Sequence, residues 1–150
     1  MYRLIALLAL LVSASAIAQD RAPAAAVASA HPVATQAGLA IMKDGGNAFD
    51  AAVAVAAALA VVEPYNSGLG GGGFFLLHRA SDRHEVVADA RETAPLAATA
   101  DMYLDARGNV IAAKSIDGPL AAAIPGTPAA LEHLATRYGR LPLAVTLAPA

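Results

Sequence analysis

The chain contains no cysteine. That excludes a disulfide framework, a thiol nucleophile and a thiolate metal site. It also lacks any run of one charge. Ten Lys and Arg stand against 12 Asp and Glu, for a net charge of −2 over 150 residues. Without a basic patch there is no electrostatic footprint for nucleic acid. The four histidines, His31, His78, His84 and His133, show no metal-ligand spacing. A zinc site needs three or four converging ligands, so they read as solvated loop side chains, with His78 and His84 flanking a hairpin loop across which they could face each other. There is no Gly-x-Ser-x-Gly elbow of the α/β-hydrolase kind. Beyond the N-terminus the longest apolar run, residues 51–62, stops at 12 and is bracketed by Asp50 and Glu63. A spanning helix needs about 20 apolar residues, so this run is a buried helix of the folded domain.

What is present begins with "MYRLIALLALLVSASAIAQ". Arg3 gives a short positive region, residues 4–12 an apolar core, and Ala16-Ile17-Ala18 a small-x-small cleavage site. This is the pattern of an export signal cut after Ala18, leaving 132 residues of net charge −3 in the periplasm or medium and no stable membrane span. Residues 19–26, "QDRAPAAA", read as a mobile spacer.

The hydrophobic content is 57 %, nearly half of it alanine, which lets neighbouring elements approach closely. Two helices are expected between residues 27 and 63. Thr35 can cap the first, with Val33, Ala37, Ala40 and Ile41 on one side; Gly45 and Gly46 stop it. Asn47 caps the second and Pro64 ends it. "FFLLH" and "EVVADAR" read as a β-hairpin joined by the five residues "RASDR". Alternation puts Val87, Asp89 and Arg91 on one face and Val86, Ala88 and Ala90 on the other. "DMYLDARGN" suggests a helical turn, then a turn at Gly108-Asn109. A third helix starts with Thr127 as N-cap and Pro128 first inside, presents Leu131, Leu134, Ala135 and Tyr138 to one side, and stops at Gly139. A new apolar element opens in "LPLAVTLAPA". The fold class is α+β. A lone two-stranded sheet is marginal, so the chain is expected to be the front part of a longer protein.

The run "NSGLGGGGFFLLH" matches Gly-x-Gly-x-x-Gly through Gly68, Gly70 and Gly73. A dinucleotide site needs that motif after a strand and at the opening of a helix. Here a helix precedes it and a strand follows. No lysine follows as in a phosphate-binding loop, and export argues against a nicotinamide cofactor. No cofactor is expected. Five glycines broken only by Leu69 do imply close approach by something, either a ligand or a neighbouring segment.

Arg91, in "DARETAP", sits where the second strand ends. A guanidinium there can grip a carboxylate with two parallel bonds, or simply pair with Asp89 or Glu92. Asp101 and Asp105 are four apart and could share a helix face, but their surroundings read as polar surface.

The stretches "VASAHPVATQAGLAIMKDGGNAFDAAVAVAAALAVVEPYNSGLGGGGFFLLH", "DARETAP", "DMYLDARGN" and "IPGTPAALEHLATRYGRLP" together resemble, in order, the N-terminal part of the γ-glutamyltransferases, or glutathione hydrolases. The resemblance covers residues 27–150. It implies the N-terminal portion of the αββα sandwich of N-terminal-nucleophile hydrolases. Such a precursor cuts itself into large and small subunits. The new N-terminal threonine of the small subunit is nucleophile, and its own amino group the base. It takes the γ-glutamyl group of a glutathione-like donor and passes it to water or an amine, with backbone N–H groups holding the oxyanion.

Residue by residue, the resemblance carries over one position: Arg91 matches the arginine that binds the donor α-carboxylate. The nucleophile belongs to the small-subunit partner beyond Ala150, and Thr35, Thr93 and Thr127 have no claim to its role. The chain alone is then inactive, holds no catalytic residue, and needs neither metal nor cofactor. The glycine run becomes the hinge from the alanine-rich helix into the first core strand, lying close to the small subunit. Cephalosporin acylases share these blocks and act on side chains lacking the α-amino group, which gives one alternative. A non-catalytic exported binding domain on the same fold is the other.

Overall fold

A computed structural model describes residues 24–150. The signal expected over 1–18 and most of the spacer lie outside the described residues. The first helix, α1, spans Pro32–Lys43. It starts earlier than Thr35 because Pro32, with its φ already set, takes the first helical position and His31 caps it, the ring Nδ1 accepting from the Val33 N–H at 3.2 Å. Thr35 lies inside the first turn, its hydroxyl 2.7 Å from that of Ser29. The buried face is Ala34, Ala37, Gly38 and Ile41, one residue round from the expected stripe; Val33 is 47 % exposed and Ala40 also faces outward. The reason is α2. A Cβ on Gly38 would stand 2.7 Å from the Val55 side chain, so the helices cross where α1 has none. The expected stop holds: Gly45 has φ +97° just after the Asp44 C-cap.

Helix α2, Ala48–Val62, opens as expected at Asn47, with a full capping box. The Asn47 side chain accepts from the N–H groups of Phe49 (2.8 Å) and Asp50 (3.0 Å), while Asp50 accepts from the Asn47 N–H at 2.8 Å. It is not buried all round. Ala51, Val53, Ala54, Ala57 and Ala58 are buried, and Val61 is 63 % exposed. Glu63 ends it, and Pro64 begins a single turn, α3, Pro64–Ser67.

The hairpin pairs β1 (Phe74–Arg79) with β2 (His84–Asp89), antiparallel, Phe74 opposite Asp89 and Arg79 opposite His84. The connection is four residues rather than five, because Arg79 and His84 join the ladder. His78 therefore faces Glu85 at 3.0 Å and not His84. The alternation holds. Leu77 and Ala90 are buried and Phe75, Val86 and Ala88 partly so, while Val87 is 57 % exposed and Asp89 and Arg91 face outward with it.

Between residues 92 and 124 the chain runs as turns, one short 3-10 turn at Pro119–Ala121 and two isolated bridges, Thr93 to Ile124 and Leu104 to Val110. Asp101 and Asp105 share no helix face. Asp105 instead ties a turn, accepting from the N–H groups of Arg107 (2.8 Å) and Asn109 (2.9 Å), with Gly108 at φ +83°. The N–H and side-chain amide of Asn109 hold its carboxyl below the ordinary value. Helix α4 spans Thr127–Arg137 and α5 Leu143–Leu147. Thr127 is the first helical residue, not the cap; Gly126 stands outside it. Of the expected α4 face, Leu131, Leu134 and Ala135 are buried, while Tyr138 is the C-cap and half-buried. Helices α2 and α4 and the inner hairpin face share a core of Val53, Ala57, Leu77, Leu131, Leu134 and Ala135, with Leu143 and Leu147 of α5 packed against it. The α+β expectation holds, with helices on one face of the hairpin.

Candidate substrate carboxylate site

Arg91 stands one residue past the paired strand. The ladder is extended by Gly73 and Ala90, which exchange hydrogen bonds of 3.1 and 2.9 Å. The Asp89 carboxylate then accepts the Arg91 N–H at 2.9 Å, which turns the chain out of the sheet. The guanidinium is directed outward, with the side chain 62 % exposed. Its Nη1 lies 3.3 Å from Oε2 of Glu92, a buried oxygen that accepts no hydrogen bond. This is a Coulombic contact with poor hydrogen-bond geometry. Both partners named by the local reading are thus present. Asp89 uses the backbone of Arg91 and Glu92 touches one nitrogen. Among the described residues no further group pairs with the guanidinium.

Two glycines mount this segment. A Cβ on Gly72 would lie 2.9 Å from Arg91 Cα and 2.8 Å from the Glu92 nitrogen. A Cβ on Gly126 would lie 2.7 Å from the carbonyl carbon of Ala90 and 3.0 Å from the Arg91 oxygen. Either would also collide with the Ala90 oxygen. The Ala90–Arg91 backbone is therefore gripped from two sides by segments that must lack side chains. Of the two readings of the glycine run, close approach by a neighbouring segment is the one found at Gly72. The loop is tied to α4 as well. The Gly71 carbonyl accepts from the N–H of Gly126 (3.0 Å), the N–H of Thr127 (3.1 Å) and the Thr127 hydroxyl (3.0 Å).

Two clefts flank this segment, and Arg91 lines one of them. One, of about 540 Å³, runs along the glycine loop and includes Tyr65, Gly70, Gly72, Glu92 and Thr127. The other, of about 500 Å³, includes Arg91 itself with Asp89, Thr93, Ile124 and His133. The glycine loop leads into β1 and opens no helix, so it forms no dinucleotide cradle. His133 packs edge-on against Tyr138 at 6.0 Å, His31 caps α1, and among the described residues no three acidic or histidine side chains converge as a metal site. Sequence reasoning missed Asp50. It is fully buried and accepts from the N–H groups of Asn47, Arg140 and Leu141. The Asn-x-x-Asp spacing of a capping box signalled half of that role. Nothing in the sequence signalled residues 140 and 141.

The family model described as gamma-glutamyltranspeptidase matches residues 34–150. The chain belongs to that family. Among its relatives, the glutathione hydrolase proenzyme of Pseudomonas sp. strain A14 is 50 % identical over 113 residues, which is 75 % of this chain and 20 % of that protein. The glutathione hydrolase proenzyme of Escherichia coli K12 is 47 % identical over 130 residues, 87 % of this chain and 22 % of its own length. The crystal structure of Helicobacter pylori gamma-glutamyltranspeptidase superposes with a TM-score of 0.79 at 46 % identity, covering 84 % of this chain and 36 % of that one. The chain thus spans about a fifth of the length of these curated relatives. They are enzymes, and this chain carries a part of the enzyme fold of its family. Among the described residues no helix is long and apolar enough to cross a membrane.

Proposed function

We propose that the chain is the donor-carboxylate-binding N-terminal segment of an exported γ-glutamyltransferase precursor, with Arg91 gripping the α-carboxylate of a glutathione-like γ-glutamyl donor. One observation carries this reading. The Arg91 guanidinium faces outward on a backbone gripped between Gly72 and Gly126, and among the described residues its one ion-pair contact is the loose 3.3 Å approach of Glu92. Its remaining N–H edges are open to a bidentate carboxylate.

In this reading the export signal is residues 1–18. The precursor cuts itself beyond Ala150, and the small subunit so released supplies the threonine that attacks the γ-carbonyl. The amine of the donor leaves as the acyl-enzyme forms, and water or an acceptor amine then takes the γ-glutamyl group. Arg91 contributes by fixing the far end of the donor, so that the scissile carbonyl meets the nucleophile in one orientation. Residues 24–150 alone are inactive. The glycine loop runs against the small subunit.

The test is to express the full-length gene and compare cleavage of γ-glutamyl anilide with that of glutaryl anilide, which keeps the carboxylate but lacks the α-amine. Preference for the γ-glutamyl compound supports the reading. Preference for the glutaryl compound makes the protein a cephalosporin-acylase-like amidohydrolase. Cleavage of neither leaves a non-catalytic binding domain.

A further inference from the structure

We infer that Thr127 is a positioning residue for donor binding, its hydroxyl fixing the glycine loop against which Arg91 is seated. This rests on the reading of Arg91 as the donor's carboxylate partner. The N-cap of α4 is Gly126, which has no side chain, and Thr127 is the first helical residue. Its hydroxyl donates at 3.0 Å to the carbonyl of Gly71, 56 residues away. Helix capping therefore does not account for it.

Stability accounts for it poorly as well. A carbonyl oxygen has two lone pairs, and the N–H groups of Gly126 and Thr127 already address that of Gly71. The Thr127 hydroxyl is a third donor converging on that one oxygen, so it narrows the positions the Gly71 carbonyl can take. The next residue, Gly72, lies directly against Arg91 Cα and the Glu92 nitrogen, so a shift at Gly71 is passed to Arg91 across a single peptide. Thr127 and Glu92 also line the same cleft. The path from the hydroxyl to the Arg91 backbone thus consists of one hydrogen bond, one peptide and one close backbone contact.

The experiment uses the full-length, processed enzyme with γ-glutamyl anilide as donor. Thr127→Val removes the hydroxyl and keeps the branched shape. The donor KM rises roughly three- to tenfold, the factor carried by one neutral hydrogen bond. The kcat stays within about twofold, because the interaction serves ground state and transition state alike. Thr127→Ser keeps the hydroxyl and restores the wild-type KM. If Thr127→Val does not fold, Thr127→Ala is compared with Thr127→Ser, a pair that differs by the hydroxyl alone. An unchanged KM in the hydroxyl-free variant overturns the inference, and so does an equal defect in Thr127→Ser, which would assign the effect to the methyl group. Arg91→Lys separates the two claims. If it raises KM and Thr127→Val does not, only the positioning role falls. If Arg91→Lys leaves KM alone, the reading of Arg91 falls first.

Discussion

Replacing Asp50 by asparagine changes one oxygen into an NH2 group at a fully buried position. The carboxylate now accepts from the Asn47 N–H at 2.8 Å through Oδ2 and from the Arg140 N–H at 3.0 Å through the same oxygen; its Oδ1 lies 3.1 Å from Arg140 and 3.3 Å from the Leu141 nitrogen. Asparagine with its oxygen in the Oδ2 place keeps two of these contacts, without their charge. Its NH2 then faces the N–H of Leu141, donor against donor. A hydrogen bond to a charged group carries about 1.5–3 kcal/mol, and a buried donor left without an acceptor costs about 1–3 kcal/mol. The loss of a negative charge beside the first turn of α2 adds about 0.3–1 kcal/mol. The stranded donor and the lost charge together make Asp50→Asn cost about 1–4 kcal/mol of stability, and Asp50→Ala, which strands all three donors, lies at or above the top of that range. Urea unfolding of the full-length protein measures the total. Amide exchange measures the cause, since Arg140 and Leu141 have this carboxylate as their acceptor and should lose protection before the core does. If the urea midpoint does not move and exchange over residues 139–142 is unchanged, the tie between the start of α2 and the end of α4 does not rest on Asp50.

Gly126→Ala places a methyl group against the Ala90 carbonyl, and relief of that overlap, at about 1–3 kcal/mol, must displace the Arg91 backbone. The thermal midpoint should fall and the donor KM should rise together; a lower midpoint with an unchanged KM would detach Gly126 from the site. The Asp82 carboxyl is held at about 2, below its ordinary 3.8, chiefly by the hydrogen bond from the Arg79 guanidinium. Because the folded-state value is the lower one, the support this pair gives the hairpin turn is complete above the ordinary value and disappears as pH falls through about 2. A carbon-13 titration of the Asp82 carboxyl with its midpoint near 3.8 would show that the ion pair does not persist in solution.

The elements legible in the sequence are those whose cause is local. Gly45, Asn47 and Pro64 act within a turn of their own position, and the alternation along residues 86–91 needs only the two-residue period of a strand. Two helix starts were displaced. Pro32, a local cause, supplies a first helical residue ahead of Thr35, whereas Thr127 lies inside the helix with its hydroxyl on Gly71, 56 residues away. Arg91 was reached through its motif and its place at a strand end. Its mounting was not reached, because Gly72 and Gly126 come together only in the fold. Asp50 shows the same limit: its partners at residues 140 and 141 lie 90 and 91 positions away, beyond any periodicity or capping rule.

The central claim is that Arg91 recognises the α-carboxylate of the donor. The most direct test compares kcat/KM for γ-glutamyl anilide with that for 4-aminobutyryl anilide, which lacks only that carboxylate, in the full-length enzyme and in Arg91→Lys. The wild type should favour the γ-glutamyl compound strongly, and most of that preference should vanish in the variant, since lysine keeps the charge but loses the two-pronged geometry. A preference that survives Arg91→Lys undiminished would contradict the account.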